Sequence, residues 1–393
     1  SKVAELIAIA DSAGLNEQKT TLLNWLQTEL TSWFTAVDEN GVLKEERYFI
    51  YDDEWDTLLA VEESFASHQQ LNDHHFHYGY FVRAAAEVCR HNAVWCSDTE
   101  YGPMIELLIR DYAADRNDPL FPYLRHFDPA NGFSWASGNV NFARGNNNES
   151  TSEAANAYGA MVLYGLATEN QAMIERGLYL HSLTSASFWQ YWNNIDRYLN
   201  KPAEYDNFIS EYQQITTSII WGDGGVFSTW FSGANAHILG IQALPSNPLT
   251  LHIGLYDDYL DDYIDVGLSE SPNRQPSGLP ADQWQDIWWN IMALTQPENA
   301  LADYANVSSY TPEAGESKAH TYHWMHTFKE IGKLQMGTGA VTADYPAAML
   351  FSTDVQNSYV VYNYTNTART VTFSDGQQVN ATGKGMFVVQ TSR

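Results

Sequence analysis

Cysteine is nearly absent: two occur in 393 residues. A cysteine-only zinc site is therefore excluded. Cys89 and Cys96 lie close in sequence. A local disulfide requires a helix to end between them, and two free core thiols are the other reading. Basic residues are also scarce, 20 against 48 acidic ones, which gives a formal net charge of −28. That field repels phosphate backbones and anionic membranes, so no nucleic acid and no membrane is expected as a partner. It disfavours polyanionic chains such as uronates and suits a neutral substrate. No apolar run reaches about 18 residues, so no transmembrane helix is expected. The opening residues, SKVAELIAIADSAGL, lack the basic and apolar regions of a signal peptide. Dinucleotide and phosphate-loop fingerprints, an H-E-x-x-H pair and a short-period repeat are missing as well. No cofactor is expected.

Aromatic rings are plentiful: 13 Trp, 24 Tyr and 17 Phe. Some must build the core, and others suit stacking on sugar faces. Apolar spacing predicts two helices over 3–36, with Leu22, Leu23, Trp25, Leu26, Leu30 and Trp33 on one stripe of the second. YFIYDDEWDTLLA reads as an extended piece and a loop. Helices are predicted from His75 to Val88 and from about Pro103. A long loop, 116–147, follows; its rings argue for an ordered, functional segment. Further helices are predicted at 150–167, 170–195, 206–220, 233–243, 252–265, 280–295, 297–305 and 318–332. The last 50 residues change to short alternating runs, SYVVYNY, RTVTF and GMFVVQT, with Asp375-Gly376 as a turn pair. The expectation is a mainly α protein: an (α/α)6 toroid over 1–340 with a small antiparallel β appendage over 341–393.

Two segments carry chemistry. LNDHHFHYGYF (71–81) packs one aspartate, three histidines and four aromatic rings into the start of a helix. Asp73 has a plain structural role as an N-cap. Its functional role is a general acid, kept protonated by apolar neighbours. His74, His75 and His77 with Asp73 invite a metal reading, but i and i+2 point to different faces of a helix. No metal is expected there. His77 and Tyr78 are instead expected to orient sugar hydroxyls or hold the acid. The second segment, NNNESTSEAANAY (146–158), places Glu149 and Glu153 one helical turn apart. Ser150 to Glu153 also reads as a capping box. Glu149, just before the helix, would then stay ionised near its positive end, as a general base requires. Asn146 and Asn156 supply amides for substrate, and Tyr158, Trp135, Trp221 and Trp230 are candidate sugar-stacking rings. A protonated carboxyl opposite a carboxylate is the equipment of a glycosidase.

With both segments in view, the chain resembles glycoside hydrolase family 81, the endo-β-1,3-glucanases or laminarinases. Four segments carry the resemblance, in order: YFIYDDEWDTLLA with LNDHHFHYGYF, NNNESTSEAANAY, STWFSGANAHILGIQALPSNP, and AHTYHWMHTF. The resemblance implies an (α/α)6 catalytic domain that hydrolyses β-1,3-glucan by inversion, without a metal. Asp73 matches the family's acid. Glu149 and Glu153 match its glutamate pair, from which the base comes. The last segment adds His320 and His323 to the expected substrate-binding residues. In the third segment Ala236 and Leu239 stand where the family pattern carries Glu and His, which touches one sugar subsite. The family's usual N-terminal β-sandwich is not in this chain. The implied enzyme is secreted, with any export signal upstream, and a monomer is expected. Two other classes fit parts of the sequence. A toroidal polysaccharide lyase could use His77 and Tyr78, but it needs uronic acids and a positive site. A noncatalytic sugar-binding protein would retain polymer and release no reducing ends.

Overall fold

A computed structural model describes residues 1–140, 142–195 and 207–393. They fall into two compact units, the first from Ser1 through Ser232 and the second from Gly233 to Arg393.

The first unit is helical at its centre. Its helices are α1 (Lys2–Ser12), α2 (Asn16–Trp33), α3 (His74–His91), α4 (Gly102–Ala113), α5 (Thr151–Thr168) and α6 (Gln171–Ser187). Buried residues lie on every side of α3 and α5, as expected of helices inside a core rather than on its surface. Small side chains let the two approach closely. A Cβ at Gly79 on α3 would meet Ala157 Cβ on α5 at 2.4 Å. The α2 stripe turns Leu26 and Leu30 inward but leaves Trp25 half exposed. YFIYDDEWDTLLA forms a hairpin, β1 (Phe49–Asp52) with β2 (Thr57–Ala60). The long loop holds a short ladder, β3 (Phe127–Asp128) with β4 (Phe133–Ser134). β5 (Asn147–Asn148) pairs with β6 (Ile219–Trp221), which turns back into β7 (Gly224–Val226).

Two predicted helices change form here. Over 170–195 the helix stops at Ser187 and a π-turn follows, Phe188–Trp192, whose rings pack inward. Of the helix predicted over 206–220, the described residues 207–218 are irregular and Ile219–Trp221 is strand. The β-branched run Ile215, Thr216, Thr217, Ile219, Ile220 favours extended pairing over helix. Cys89 and Cys96 are bridged, with α3 ending between them at His91.

The second unit holds α7 (Asn235–Gly240), α8 (Asp257–Gly267), α9 (Gln285–Ala293), α10 (Pro297–Tyr304) and α11 (Lys318–Ile331). Pro248–Gly254 is 3-10 helix, so the helix expected from 252 starts only at Asp257. The chain then turns to strand: β8 (Lys333–Leu334), β9 (Ala348–Ser352), β10 (Gln356–Asn363), β11 (Arg369–Thr372), β12 (Gln378–Ala381) and β13 (Gly385–Ser392). They form an antiparallel sheet, β13-β10-β9-β8, and a β11-β12 hairpin. Gly376 takes the left-handed turn of that hairpin at φ 92. The fold is thus mainly helical with small antiparallel sheets. No helix among the described residues is long and apolar enough to cross a membrane.

Candidate acid–base site

Asp73 occupies the N-cap position of α3 and does not cap it. Its backbone is left-handed, φ 58 and ψ 19, and its side chain makes no cap bond. That conformation costs a non-glycine residue about 1–2 kcal/mol, so its surroundings must hold it. They do: Asp73 N–H donates to Ala136 O at 2.8 Å, and Asp73 O accepts from His77 N at 2.9 Å. Asn72 Nδ2 donates to Asp73 Oδ2 at 2.8 Å. Burial pushes the Asp73 carboxyl well above the usual range, and the charges of Glu153 and Glu149 push it further. Crowding raises the cost of charge although part of the residue's surface stays accessible. A carboxyl in that condition carries a proton it can donate.

Glu149 follows β5 and precedes the cap of α5. Its Oε1 accepts from Trp230 N at 3.1 Å. Burial raises its pKa to about 7, opposed by the Trp230 N–H and assisted by Glu153, where the helix end had been expected to hold it ionised. Ser150 caps α5 by accepting from Glu153 N at 3.2 Å, the first half of the expected capping box. The Glu153 carboxyl accepts from Tyr80 Oη at 2.8 Å, a bond that ties α5 to α3. Two mutually repelling glutamates and one protonated aspartate thus share one electrostatic environment.

Besides the Tyr80–Glu153 bond, the acid segment and the glutamate segment are joined through Ala136 and Ser137. Ala136 O accepts from Asp73 N, and Ala136 N donates to Asn147 O at 2.7 Å. Asn146 braces the same strand: its Oδ1 accepts from Ser137 N at 3.1 Å and its Nδ2 donates to Ser137 O at 2.7 Å. Asn146 therefore serves the backbone, where substrate contact had been expected.

Three other predicted contacts lie inside the protein. Tyr78 is buried with its hydroxyl donating to Leu58 O at 2.6 Å. Tyr158 and Asn156 are fully buried. They point inward because α3 and α5 are core helices on every side. His77 remains half-buried, its pKa lowered to about 4 by burial and by His74, so it is a neutral ring at neutral pH. Trp230 is 56% exposed and stands 5.3 Å from Trp221 and 6.3 Å from Phe142 by ring centroids. Trp221 is half-buried under Arg144. Trp135 is half-buried too, its indole N–H donating to Asp128. His320 and His323 belong to the second unit. His320 is buried and bonded to Glu316 at 2.7 Å, whereas His323 is exposed.

The three histidines after Asp73 diverge. His75 Nε2 meets Ser134 Oγ at 2.9 Å. His74 with Asp111 and His126 brings ligand atoms within 4.8 Å of one another. Yet His74 Nδ1 is already on Asp111 Oδ2 at 2.8 Å and its Nε2 on Ser67 O at 2.9 Å. Both ring nitrogens are thus already engaged by protein oxygens.

Sequence reasoning missed Asn72 and Ala136, and it took Tyr80 only as a ring beside Asp73, not as the partner of Glu153. Tyr80 had a signal, since it lies two turns after Asp73 on the same helix face. Ala136 had none, because its contribution is entirely backbone.

A carboxyl pushed well above its usual range beside two glutamates is the equipment that an acid–base site of a hydrolase needs. The chain belongs to glycosyl hydrolase family 81: residues 1–325 match the model of that family's C-terminal domain. It is 38% identical over 377 residues to a glucan endo-1,3-beta-D-glucosidase of Thermobifida fusca, covering 95% of this chain and 47% of the relative. A protein of the same name from Acetivibrio thermocellus is 37% identical over 377 residues, covering 96% of this chain and 46% of the relative. Among solved structures, glycoside hydrolase family 81 from Clostridium thermocellum (CtLam81A), in a mutant form, matches with a TM-score of 0.90 and 36% identity. That match covers 99% of this chain and 52% of the other. The chain spans about half the length of these relatives.

Proposed function

We propose that this chain is the catalytic portion of an endo-acting β-1,3-glucanase that works by inversion. Asp73 is the general acid: it protonates the glycosidic oxygen as the bond breaks. Glu149 is the general base: it takes a proton from the water that attacks the opposite face of the sugar. Glu153, held by Tyr80, keeps both neighbours' pKa values high by its charge. The observation that carries the reading is the Asp73 carboxyl, which sits at a helix start, makes no cap bond and is pushed well above its usual range by burial and by two nearby glutamates. The curated relatives named glucan endo-1,3-beta-D-glucosidase supply the substrate class. The substrate is a neutral β-1,3-glucan, consistent with the −28 charge. Trp230, Trp221, Trp135 and His77 are its proposed contacts.

Residues 1–340 act as one catalytic domain of (α/α)6 toroid type, with 341–393 as a β appendage. The family match running through 1–325 supports that division. The protein works as a monomer outside the cell. The Cys89–Cys96 bridge suits an oxidising compartment.

The test is incubation with laminarin, following reducing ends and the anomer of fresh products by NMR. Early α-anomer is expected. Early β-anomer would mean a covalent intermediate and would overturn the inverting mechanism. Asp73→Asn should lose roughly 10²-fold or more of the rate while the protein stays folded and binds glucan. A variant that keeps most of its rate would remove Asp73 from the acid role.

A further inference from the structure

Phe65 costs the fold twice and returns nothing to the core. Its ring is 75% exposed, which leaves a large apolar surface in water. Its backbone is left-handed at φ 50, and Ala66 follows at φ 60. A left-handed backbone at a non-glycine residue is strained and persists only where neighbours enforce it.

The enforcement comes from the acid segment. Asn72 Nδ2 donates to Phe65 O at 3.0 Å and to Asp73 Oδ2 at 2.8 Å, so one amide holds both the Phe65 turn and the acid. Two residues on, Ser67 O is bonded to His74 Nε2 at 2.9 Å. His68 Nε2 lies 2.6 Å from Ala60 O. The turn is therefore pinned at three successive places, and the exposed ring stands on a fixed base. Its centroid lies 5.8 Å from that of His77, one helical turn beyond Asp73 on the same face of α3.

Trp230 has a matching arrangement on the other carboxyl. It is an exposed ring whose own backbone N–H bonds Glu149. Each of the two carboxyls thus shares a bond with a turn that displays an exposed aromatic ring.

We propose that Phe65 is the stacking platform for the glucosyl residue on the leaving-group side of the cleaved bond, the side the general acid serves. The inference rests on the acid–base reading of the site. The C–H face of a β-glucosyl ring is apolar, and an exposed phenyl ring gains by covering it. Because the acid donates its proton to the leaving oxygen, a ring fixed to the acid's own turn meets the sugar that departs.

The experiment compares wild type with Phe65→Ala, Phe65→Tyr and Phe65→Trp. It measures kinetics on laminarin, titration with laminari-oligosaccharides, and melting curves. A platform used equally in ground and transition states raises KM about tenfold in Phe65→Ala and leaves kcat nearly unchanged. Tyr and Trp restore KM, and all four proteins melt together because the ring packs against little. An active wild type whose KM matches that of Phe65→Ala overturns the platform alone. So does a lowered melting temperature in Phe65→Ala with an unchanged KM. A wild type that neither cleaves nor binds laminarin overturns the reading of the site and the platform with it.

Discussion

At the scale of single residues, the site is a problem of where three protons and negative charges sit. Glu153 repels charge on both Asp73 and Glu149. Glu153→Gln should therefore lower both pKa values and move both limbs of the pH–rate profile toward acid. The check is kcat/KM against pH on laminarin. Glu149→Gln should instead lose roughly 10²-fold or more in rate at every pH, as removal of a positioned base requires. If the two outcomes are exchanged, Glu153 is the base. Stability should respond in the opposite sense to activity. The folded pKa of Glu149, about 7, lies above its ordinary value of 4.5. Its folded form therefore loses stability as pH rises between those values. Glu149→Gln should be more stable than wild type at pH 8, by on the order of 1–3 kcal/mol, and no different at pH 4. Denaturant melts at the two pH values decide it. Much of this was legible in the sequence. Asp73 and the glutamate pair stand out by residue type, spacing and apolar company. The Trp230 bond to Glu149 was not legible, because folding brings those distant segments together, and the Asn72 bond to Asp73 was missed although the two are adjacent.

Elements set the distances that the residues need. Asp73 rides on the start of α3, while Glu149 and Glu153 ride at the start of α5. The two helices meet at Gly79 and Ala157, where a Cβ on Gly79 would also stand 2.7 Å from Ala157 Cα. Gly79→Ala overpacks that crossing. It should cost about 1–3 kcal/mol in urea unfolding and lower the rate even at temperatures where the variant is fully folded. At the far end of α3 the disulfide makes the converse prediction. Cys89 lies about 24 Å along the helix from Asp73. Replacing both cysteines by alanine should cost roughly 2–3 kcal/mol, as expected for a short closed loop. Laminarin hydrolysis at 25 °C should stay unchanged. Helix periodicity found most of these elements. It failed over 206–220, where β-branched residues that also fit a helical spacing pair as strand in the described part. It overestimated contact at Tyr78, Asn156 and Tyr158, because a helix buried on every side hides residues that an amphipathic helix would present.

For the whole molecule, charge and composition narrow the substrate more than any single contact does. A chain carrying −28 should hydrolyse neutral laminarin and leave polyuronates intact. Raising salt should not rescue cleavage of the anionic polymer if the site itself lacks cations to hold its carboxylates. Parallel assays with laminarin and alginate at low and high salt check this. Class and composition were the most legible level, since the helical runs and the change to strands near the C-terminus are plain in the sequence. The distance between the two carboxyl-bearing segments was the least legible, because much of it is set by backbone bonds such as those of Ala136. Both of that residue's hydrogen bonds to those segments come from its peptide groups. Replacing its side chain, or that of a neighbour, leaves those bonds available. The spacing of acid and base is thus insulated from drift at the surface positions around it. Phe65, Trp135 and Trp230 can change between descendants at a cost in glucan binding, shifting which chain lengths are taken, while the proposed acid and base keep their placing. A library randomised at those three rings should yield new product patterns far more often than dead enzymes.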